Sequence, residues 1–597
     1  MTPKKITYLI LIIVLATAFL LPGCVSQSAT ETPTPVVATA TVVALKQVLN
    51  IWDPATPTTL NPYFSLGMSD LQPSRIVYEP LGDFDKGGNL VPILAAEIPT
   101  MENGELAADN TSVTWKLRQD VRWSDGERFT AEDVVFTYLY ITDPEVNVVT
   151  KSEYGQVSNV EALDDYTVKV TFKDVNPAWA LSFVGIRGVI LPKHIFEPYK
   201  GANAREARAN TVPVGTGPYR VKEPEPGQSG IKPQEVLLLG SQVVKTTKIE
   251  FEPNPYYRFP EKLAFRKIVW RGGGDLNEAN RQLFEEGSLH VSYLVDPTLA
   301  AADSKGELLY TPRTGVRRIL LNFTDPYKLS IDGEYSSQDV PHPLFSEKVV
   351  RQAVAYAINR QTLIDQVYTT GVPAYAILVA PPQYLSKEEF YTYDPAKANA
   401  LLDKAGYIDT DGDGFREKDG NKMKLLFQSF VGASTQLAQG IIKENLKAIG
   451  IDVEIKTTES GIMFGNDTTN LDHSSHFNAD LMMFQTQSNS FDPTSFMEFW
   501  TCGQIPQKAN SWKGNNNERW CSQTYDELLQ KTKIEPNPEV RQEMFIKLND
   551  MLVEDVATIP LVWEKNVMGI NKNLVGLDST PWDALTWNIQ DWYFAQP

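Results

Sequence analysis

The stretch TWKLRQDVRWSDGERFTAEDVVFTYLY, residues 114–140, carries the local signals that decide the fold. In its first residues Trp115 and Leu117 alternate with basic residues, which is the pattern of a half-buried strand. A Ser-Asp-Gly turn follows. Thr130 and, three residues later, Asp133 then predict the start of a helix with an acid near the positive end of its dipole. The charged residues therefore have structural roles, and the stretch indicates a scaffold rather than an active site.

The composition is that of a globular protein. The chain has 597 residues, of which 42 % are hydrophobic and 22 % charged, and this length predicts two or three domains. The formal net charge is −19. Because proteins that bind nucleic acids carry basic patches, this acidic balance excludes a nucleic-acid partner from our expectations.

The N-terminus predicts export. Two lysines precede the apolar residues 6–21, a run shorter than the roughly 20 residues of a membrane-spanning helix. The sequence LPGC at its end resembles a lipobox, in which the cysteine, here Cys24, receives diacylglycerol; an ordinary cleaved signal is the alternative. Residues 1–23 are thus a predicted signal peptide and residues 24–45, rich in Ser, Thr and Pro, a tether. We expect a protein anchored by lipid at the outer face of the bacterial cytoplasmic membrane.

Two further cysteines, Cys502 and Cys521, lie close together in the sequence. In an oxidising exterior such a pair most simply forms a disulfide. A thiol-based site is the alternative, but no histidine accompanies either cysteine in the sequence.

From residue 46 onward, strand-like runs alternate with helical stretches. TVKVTF (167–172) and RILLNF (318–323) are typical of strands, whereas residues 346–366 and 538–554 have apolar residues at helical spacing. This alternation predicts an α/β protein with partly parallel sheets.

Ordered segments of the chain resemble the family 5 extracellular solute-binding proteins, which are the oligopeptide-, dipeptide- and nickel-binding components of ABC importers. In the opening stretch, residues 117–134 are similar to the family signature LR-x-x-V-x-F-x-D-G followed by F-T-A-E-D-V. Further similar segments are PVGTGPYR (213–220), NPYY (254–257), VRQAVAYAINR (350–360), YDPAKANALLDKAGY (393–407), ENLKAIGIDVEI (444–455) and IPLVWEK (559–565). The resemblance covers residues 47–597.

The resemblance implies a two-lobed α/β fold, like that of class II periplasmic binding proteins. Lobe 1 is expected at residues 46–317 with an inserted subdomain at about 64–205, lobe 2 at 318–558, and a return to lobe 1 at 559–597. A ligand enclosed between the lobes would bias a two-state hinge motion.

The implied function is capture of an oligopeptide or similar extended solute by a monomeric protein that delivers it to an ABC permease, without catalysis. An oligosaccharide ligand in the same role is the first alternative. A secreted glycoside hydrolase, which needs two carboxylates across a cleft, is an alternative of another class.

The resemblance places the ligand near residues 485–500. In peptide-binding relatives an aspartate before an acid-Pro-Thr-Ser-Phe run pairs with the amino terminus of the peptide, and a gapless alignment puts Asn489 at that position. A neutral amide cannot form this ion pair. Either Asp492 replaces it, the alignment shifts, or the ligand lacks a free amine. We assign Phe491, in the same run, to the ligand site as well.

Tryptophans near this region are a second group of candidates. Flat apolar rings with polar edges suit sugar faces and peptide side chains alike, while packing in the core is the alternative role. The candidates are Trp500, Trp512, Trp520 and Trp563.

The segment DTDGDGFREKDG, residues 409–420, resembles a calcium-binding EF-hand loop. Its first three aspartates occupy positions one, three and five, and a glycine occupies position six. Position twelve is Gly420, so the usual bidentate glutamate is absent. A structural Ca²⁺ or a plain acidic turn are both open, and we expect no other cofactor. The candidate ligands are Asp409, Asp411, Asp413, Phe415, Glu417 and Asp419.

Overall fold

The computed structural model describes residues 47–237, 243–331, 333–488 and 490–595. The predicted signal peptide (1–23), the tether (24–45), Cys24 and Asn489 lie outside these residues. Among the described residues the strands are, in chain order, β1 (Gln47–Asp53), β2 (Gly82–Phe84), β3 (Leu90–Pro92), β4 (Ser112–Lys116), β5 (Val157–Asp164), β6 (Thr167–Phe172), β7 (Tyr219–Val221), β8 (Lys232–Leu237), β9 (Val243–Pro253), β10 (Phe265–Gly272), β11 (Val291–Ser292), β12 (Gly306–Pro312), β13 (Gly315–Leu321), β14 (Val372–Pro373), β15 (Glu417–Lys418), β16 (Asn421–Lys422), β17 (Lys424–Phe430), β18 (Asp452–Thr458), β19 (Leu481–Gln487), β20 (Thr558–Trp563), β21 (Lys565–Asn571), β22 (Leu574–Val575) and β23 (Tyr593–Phe594).

Several of the α-helices begin at residues whose side chains accept hydrogen bonds from free backbone N–H groups. Asn537, for example, accepts hydrogen bonds from the N–H groups of Glu539 and Val540 at the start of the longest helix. No helix in the described part of the chain is long and apolar enough to cross a bilayer. The helices are α1 (Met68–Ser74), α2 (Ala131–Thr142), α3 (Lys193–Phe196), α4 (Leu276–Asn280), α5 (Lys348–Ala357), α6 (Arg360–Gln366), α7 (Pro395–Lys404), α8 (Ala433–Lys447), α9 (Ser460–Met463), α10 (Thr494–Met497), α11 (Gln523–Thr532) and α12 (Pro538–Glu554).

The stretch at residues 114–140 folds as the local pattern predicts, into β4 and α2. The carboxylate of Asp133 accepts hydrogen bonds from the backbone N–H groups of Thr130 and Lys193, both at 2.9 Å, and from the indole of Trp123 at 3.3 Å. Asp133 is buried, and burial raises its pKa despite these donors. This acid therefore holds the helix start in place and is a structural residue.

The predicted single helix over residues 346–366 is two helices, α5 and α6. Ile358 is extended, and the side chain of Asn359 accepts a hydrogen bond from the N–H of Thr362. An asparagine side chain can take the place of a backbone carbonyl as hydrogen-bond acceptor. Asn359 therefore ends the first helix and begins the second, although the apolar spacing alone predicts one continuous helix.

Two mixed sheets form the centres of the two lobes. In lobe 1 the strand order is β12-β21-β11-β1-β10-β9-β7, with β8 paired to β9, and β1 runs parallel to both β10 and β11. In lobe 2 the order is β14-β20-β13-β19-β17-β18, and β17 runs parallel to β18 and β19. A three-stranded antiparallel sheet, β4-β6-β5, belongs to a separate core together with α2. The fold is therefore a two-lobed α/β fold.

The chain crosses between the two large sheets twice, from β12 to β13 and from β20 to β21. Because β20 pairs with β13 and β14, the chain leaves the lobe 2 sheet after residue 563 rather than at 559. The two crossings are tied together, since Glu564 forms ion pairs at 3.0 Å with both Arg313 and Arg317. Trp563 adds a hydrogen bond of 2.8 Å from its indole to the carbonyl of Arg313. These contacts hold the two crossover segments together, and we call these segments the hinge.

Candidate functional site: a cleft between the lobes

A cleft of about 1050 Å³ lies where the two lobes and the hinge meet. This volume is at the upper end of the range for small-molecule sites, which favours a ligand of several residues or rings. Its walls come from five regions of the folded protein. They include residues 53–55, 65–69 and 293–295 of lobe 1; Asp83, Phe84 and 184–187 near the inserted core; 311–314 and 565–568 of the hinge; Gln487, Ser488, Ser490 and Phe491 of lobe 2; and 579–583 near the C-terminus.

Three aromatic rings, Phe84, Phe491 and Trp582, join the lobes across the cleft, and we call them the aromatic clamp. Phe491 of lobe 2 stacks on Phe84, with ring centroids 3.5 Å apart and planes at 5°. Trp582 meets Phe491 edge-on at 5.2 Å and donates a hydrogen bond of 3.0 Å to the carbonyl of Phe84. Such ring pairs contribute beyond the area they bury, so the clamp stabilises the contact between the lobes.

A buried cluster of three charged side chains lies next to the aromatic clamp. The guanidinium of Arg75 lies between the carboxylates of Asp83 at 2.7 Å and Asp583 at 3.2 Å, and all three side chains are at most 2 % exposed. Burial and the neighbouring Asp83 raise the pKa of Asp583 well above its ordinary value. Since these acids adjoin Phe84 and Trp582 in sequence, the cluster fixes the two clamp residues of the first lobe.

Asp53, at the end of β1, is a buried acid in the cleft wall. Its side chain accepts a hydrogen bond of 2.8 Å from the N–H of Ala55, and the residue is 6 % exposed. Burial raises the pKa of Asp53 to about 6. The hydrogen bond from Ala55 acts in the opposite direction, and the negative charge of Asp70 makes a smaller contribution that also raises this pKa.

Glu153 and Arg187 form a second charged group in the cleft, with 3.6 Å between carboxylate and guanidinium. The Glu153 side chain is 27 % exposed, and the residue lines the cleft. Removal from bulk water raises the pKa of Glu153 to about 7, although Arg187 acts in the opposite direction.

Of the predicted ligand residues that the structure describes, Phe491 lines the cleft. Asp492 points elsewhere, since it is 7 % exposed, pairs with Arg541 at 2.5 Å and accepts a hydrogen bond from the N–H of Thr494. Its charge is therefore already compensated, and Asp492 cannot replace the amine-binding aspartate without breaking a buried ion pair.

Trp500 and Trp520 lie in the core of lobe 2 and not in the cleft. Trp500 is fully buried, with its indole 3.3 Å from the carboxylate of Glu518, and Trp520 donates to Asp555 at 2.8 Å. Neither ring contributes to the cleft wall. Their large apolar area is used for packing, which is the alternative that sequence spacing left open.

The other two predicted tryptophans also lie outside the cleft wall. Trp512 packs on the ring of His476 with centroids 4.0 Å apart. Trp563 belongs to the hinge, where its indole binds the carbonyl of Arg313.

Cys502 and Cys521 are joined by a disulfide, with their Cα atoms 4.7 Å apart. Neither sulfur is a free thiol in this form. The carboxylate of Asp526 accepts a hydrogen bond of 3.3 Å from the N–H of Cys502, which links the disulfide to α11.

The acidic loop brings Asp409, Asp411 and Asp413 together, with one carboxylate oxygen from each within 4.8 Å of the others. Lys422 contacts both Asp411, at 2.9 Å, and Asp413, so a lysine ammonium already offsets part of the negative charge. Glu417 turns away and accepts a hydrogen bond of 2.7 Å from the N–H of Thr410. Phe415 and Asp419 are not part of the three-carboxylate group, and calcium binding by this loop stays a prediction.

Sequence reasoning missed Asp53, Phe84, Glu153 and Trp582 as cleft residues. The only available signal was the position of Asp53 at the carboxyl end of a strand, where α/β proteins often bind ligands. The others come together through contacts between distant segments, as in the hydrogen bond between Phe84 and Trp582, which are 498 residues apart.

Comparison with known proteins identifies the family. The sequence profile described as "Bacterial extracellular solute-binding proteins, family 5 Middle" matches residues 89–507. The chain is similar to the oligopeptide-binding protein AppA of Bacillus subtilis, with 24 % identity over 554 residues and 90 % of each chain covered. It is similar to the glutathione-binding protein GsiB of Escherichia coli, with 23 % identity over 526 residues, covering 87 % of this chain and 89 % of GsiB. Its fold is similar to that of NikZ of Campylobacter jejuni, solved with Ni(L-His), with a TM-score of 0.61, 23 % identity and coverage of 92 % and 99 %. This chain belongs to family 5 of the bacterial extracellular solute-binding proteins.

Proposed function

We propose that this protein captures an oligopeptide, or a similarly extended solute with apolar side groups, in the cleft and delivers it to the permease of an ABC importer. The observation that carries the proposal is the apolar part of the cleft wall. Leu66 is 89 % exposed, and Met68, Val149 and Leu294 are 43 to 47 % exposed, all of them facing the cleft. Exposed apolar patches of this kind mark binding surfaces, and in a large cleft they suit the side chains of a peptide.

The family supports a transport role. As a family 5 member the protein is an extracytoplasmic solute-binding component of an ABC importer, and it is not an enzyme. AppA and GsiB are named for binding an oligopeptide and glutathione, which are both peptides. A peptide ligand for this chain follows from that likeness together with the apolar cleft wall.

Delivery depends on the hinge and the clamp. Ligand binding shifts the lobes toward the closed form, in which Phe491 meets Phe84, and the permease distinguishes this form from the open one. A lipid on Cys24 keeps the monomeric protein beside the permease at the outer face of the cytoplasmic membrane.

The alternatives have less support. The oligosaccharide alternative rests on four tryptophans, none of which lines the cleft. The hydrolase alternative is at odds with a family of binding proteins.

Mass spectrometry of solutes released from the purified full chain tests the proposal. We expect masses built from amino-acid residues, and these should be lost when the protein is unfolded and refolded without ligand. Masses spaced by hexose units would contradict the proposal and move the ligand to the carbohydrate class.

A further inference from the structure

Asp53 differs from the other acids of the cleft wall in lacking a cation. Asp83 and Asp583 share Arg75, and Glu153 faces Arg187. Among the described residues, by contrast, no lysine, arginine or histidine pairs with Asp53. One oxygen of its carboxylate accepts the N–H of Ala55, and the other accepts no hydrogen bond from the described residues. Asp53 is 6 % exposed and lines the cleft. Because a buried carboxylate is costly without a positive partner, we expect a cationic group of the ligand to supply that partner.

The sheet of lobe 1 holds the backbone of Asp53 in place. It ends β1, which runs parallel to β10 and β11 on either side, and its backbone carbonyl accepts a hydrogen bond of 2.9 Å from Gly273. Carboxyl ends of neighbouring parallel strands are where open α/β sheets place their ligands. The residue after β11, Tyr293, lines the same cleft and donates its hydroxyl hydrogen to Gln72 at 2.7 Å.

The surroundings of Asp53 are negative. The carboxylate of Asp70 is close enough to act on Asp53 electrostatically, and it is held by the N–H groups of Thr58, at 2.6 Å, and Thr59, at 3.3 Å. Asp70 is therefore a fixed structural acid, and its charge adds to that of Asp53. Two carboxylates without a cationic side chain favour binding of a positive group.

We propose that Asp53 binds a protonated amine of the solute, so that the ligands of this protein are amine-bearing, with the free amino terminus of a peptide as the fitting group. An ammonium group donates short, charge-assisted hydrogen bonds to a carboxylate. Asp492, the alternative acid near Phe491, is already paired with Arg541. The inference rests on the proposed function in taking the cleft as the ligand site.

This anchor lies in lobe 1, and closure is not needed to form it. The amine would therefore bind to the open protein first, and the lobe 2 ring Phe491 would close over the rest of the ligand afterwards.

Calorimetric titration of the full chain with the tetrapeptide Ala-Phe-Ala-Ala and with its N-acetylated form tests the inference. For the wild type we expect acetylation to weaken binding by roughly 30-fold or more, because it removes the partner of a buried charge. In Asp53→Asn the two forms should bind equally weakly. Glu153→Gln is the matched control, because it removes another cleft carboxylate that is already paired with Arg187. This variant should still bind the free-amine peptide more tightly than the acetylated one, even if its overall affinity changes. Equal binding of both forms by the wild type, or an unchanged preference in Asp53→Asn, would overturn the inference and leave peptide capture standing.

Amine labelling of the solutes released from the wild-type full chain separates the two proposals and does not depend on the folding of a variant. Reductive dimethylation adds mass to a ligand with a primary amine. An amine-free peptide overturns the Asp53 inference alone. A labelled solute that is not a peptide overturns the proposed function alone, and an amine-free solute that is not a peptide overturns both.

Discussion

The ring of Phe491 lies parallel to the ring of Phe84, with centroids 3.5 Å apart, although one belongs to the loop after β19 in lobe 2 and the other to β2 on the opposite side of the cleft. Trp582 packs edge-on against Phe491, so the lobe 2 ring is held between two rings of the first lobe. The apolar contact of these three rings therefore links the two sides of the cleft.

Replacing Phe491 by alanine should shift the protein toward the open form. Loss of both ring contacts removes the apolar contact across the clamp, and we expect ligand affinity to fall by roughly 10-fold. Small-angle X-ray scattering should show a larger radius of gyration for the ligand-free variant. Phe499→Ala is the control, because Phe499 packs in the lobe 2 core. It should lower the melting temperature and leave the radius unchanged. A compact Phe491→Ala protein with wild-type affinity would show that the clamp does not stabilise closure.

Substitutions at Trp500 and Trp582 should affect different properties, stability in the first case and ligand binding in the second. Trp500→Ala leaves a cavity in the lobe 2 core and should lower the free energy of unfolding by about 3–5 kcal/mol. The milder Trp500→Phe should keep the fold and wild-type affinity. Trp582→Phe, which loses the indole hydrogen bond to Phe84, should weaken ligand binding with a smaller loss of stability. Calorimetric melting and titration measure both quantities. Weaker binding by Trp500→Phe, with wild-type binding by Trp582→Phe, would contradict this prediction. It would support the ligand contact at Trp500 that the sequence predicted.

Reduction of the disulfide should destabilise lobe 2. Cys502 and Cys521 are 19 residues apart, and closing a loop of that size restricts the unfolded chain by about 3 kcal/mol. Melting with and without a thiol reductant measures the loss. The double variant Cys502→Ser, Cys521→Ser should melt at the lower temperature under both conditions. An equal melting temperature of the wild type with and without the reductant would contradict the prediction.

His290 should make the protein less stable in mild acid. Its Nδ1 accepts the N–H of Asn50, its ring packs on Phe594, and burial lowers its pKa to about 4. Well above pH 6.5 the imidazole is neutral in both the folded and unfolded states. Between pH 6.5 and 4 the unfolded chain takes up a proton that the folded protein does not, so stability falls as the pH decreases, by roughly 2–3 kcal/mol.

Urea unfolding at pH 7.0, 5.5 and 4.5 tests this dependence on His290. Carboxylates also titrate over this range, so the relevant quantity is the difference between the wild type and His290→Asn, which keeps an acceptor for Asn50. The variant should lose less stability between pH 7.0 and 4.5. Parallel curves for the two proteins would assign the pH dependence to other groups.

Local sequence was sufficient for the α/β class and for individual elements. The alternation at Trp115 and the cap at Thr130 act within a few residues, so β4 and α2 could be predicted without knowing what packs on them. The family resemblance extended this to the two lobes. Even locally the prediction was incomplete, because the capping contact of Asn359 divides a helix that its apolar spacing makes continuous.

The composition of the cleft was decided by tertiary structure. Whether an acid is available to a ligand depends on partners far away in the sequence: Arg541 compensates Asp492, whereas no described cation reaches Asp53. Whether a tryptophan faces a ligand depends on which surface covers it, and Trp500 is covered while Trp582 lines the cleft. Charge compensation and burial are sums over neighbours that only the folded chain brings together, whereas hydrogen bonds at helix starts and the alternation of strands involve adjacent residues and are therefore visible in the sequence.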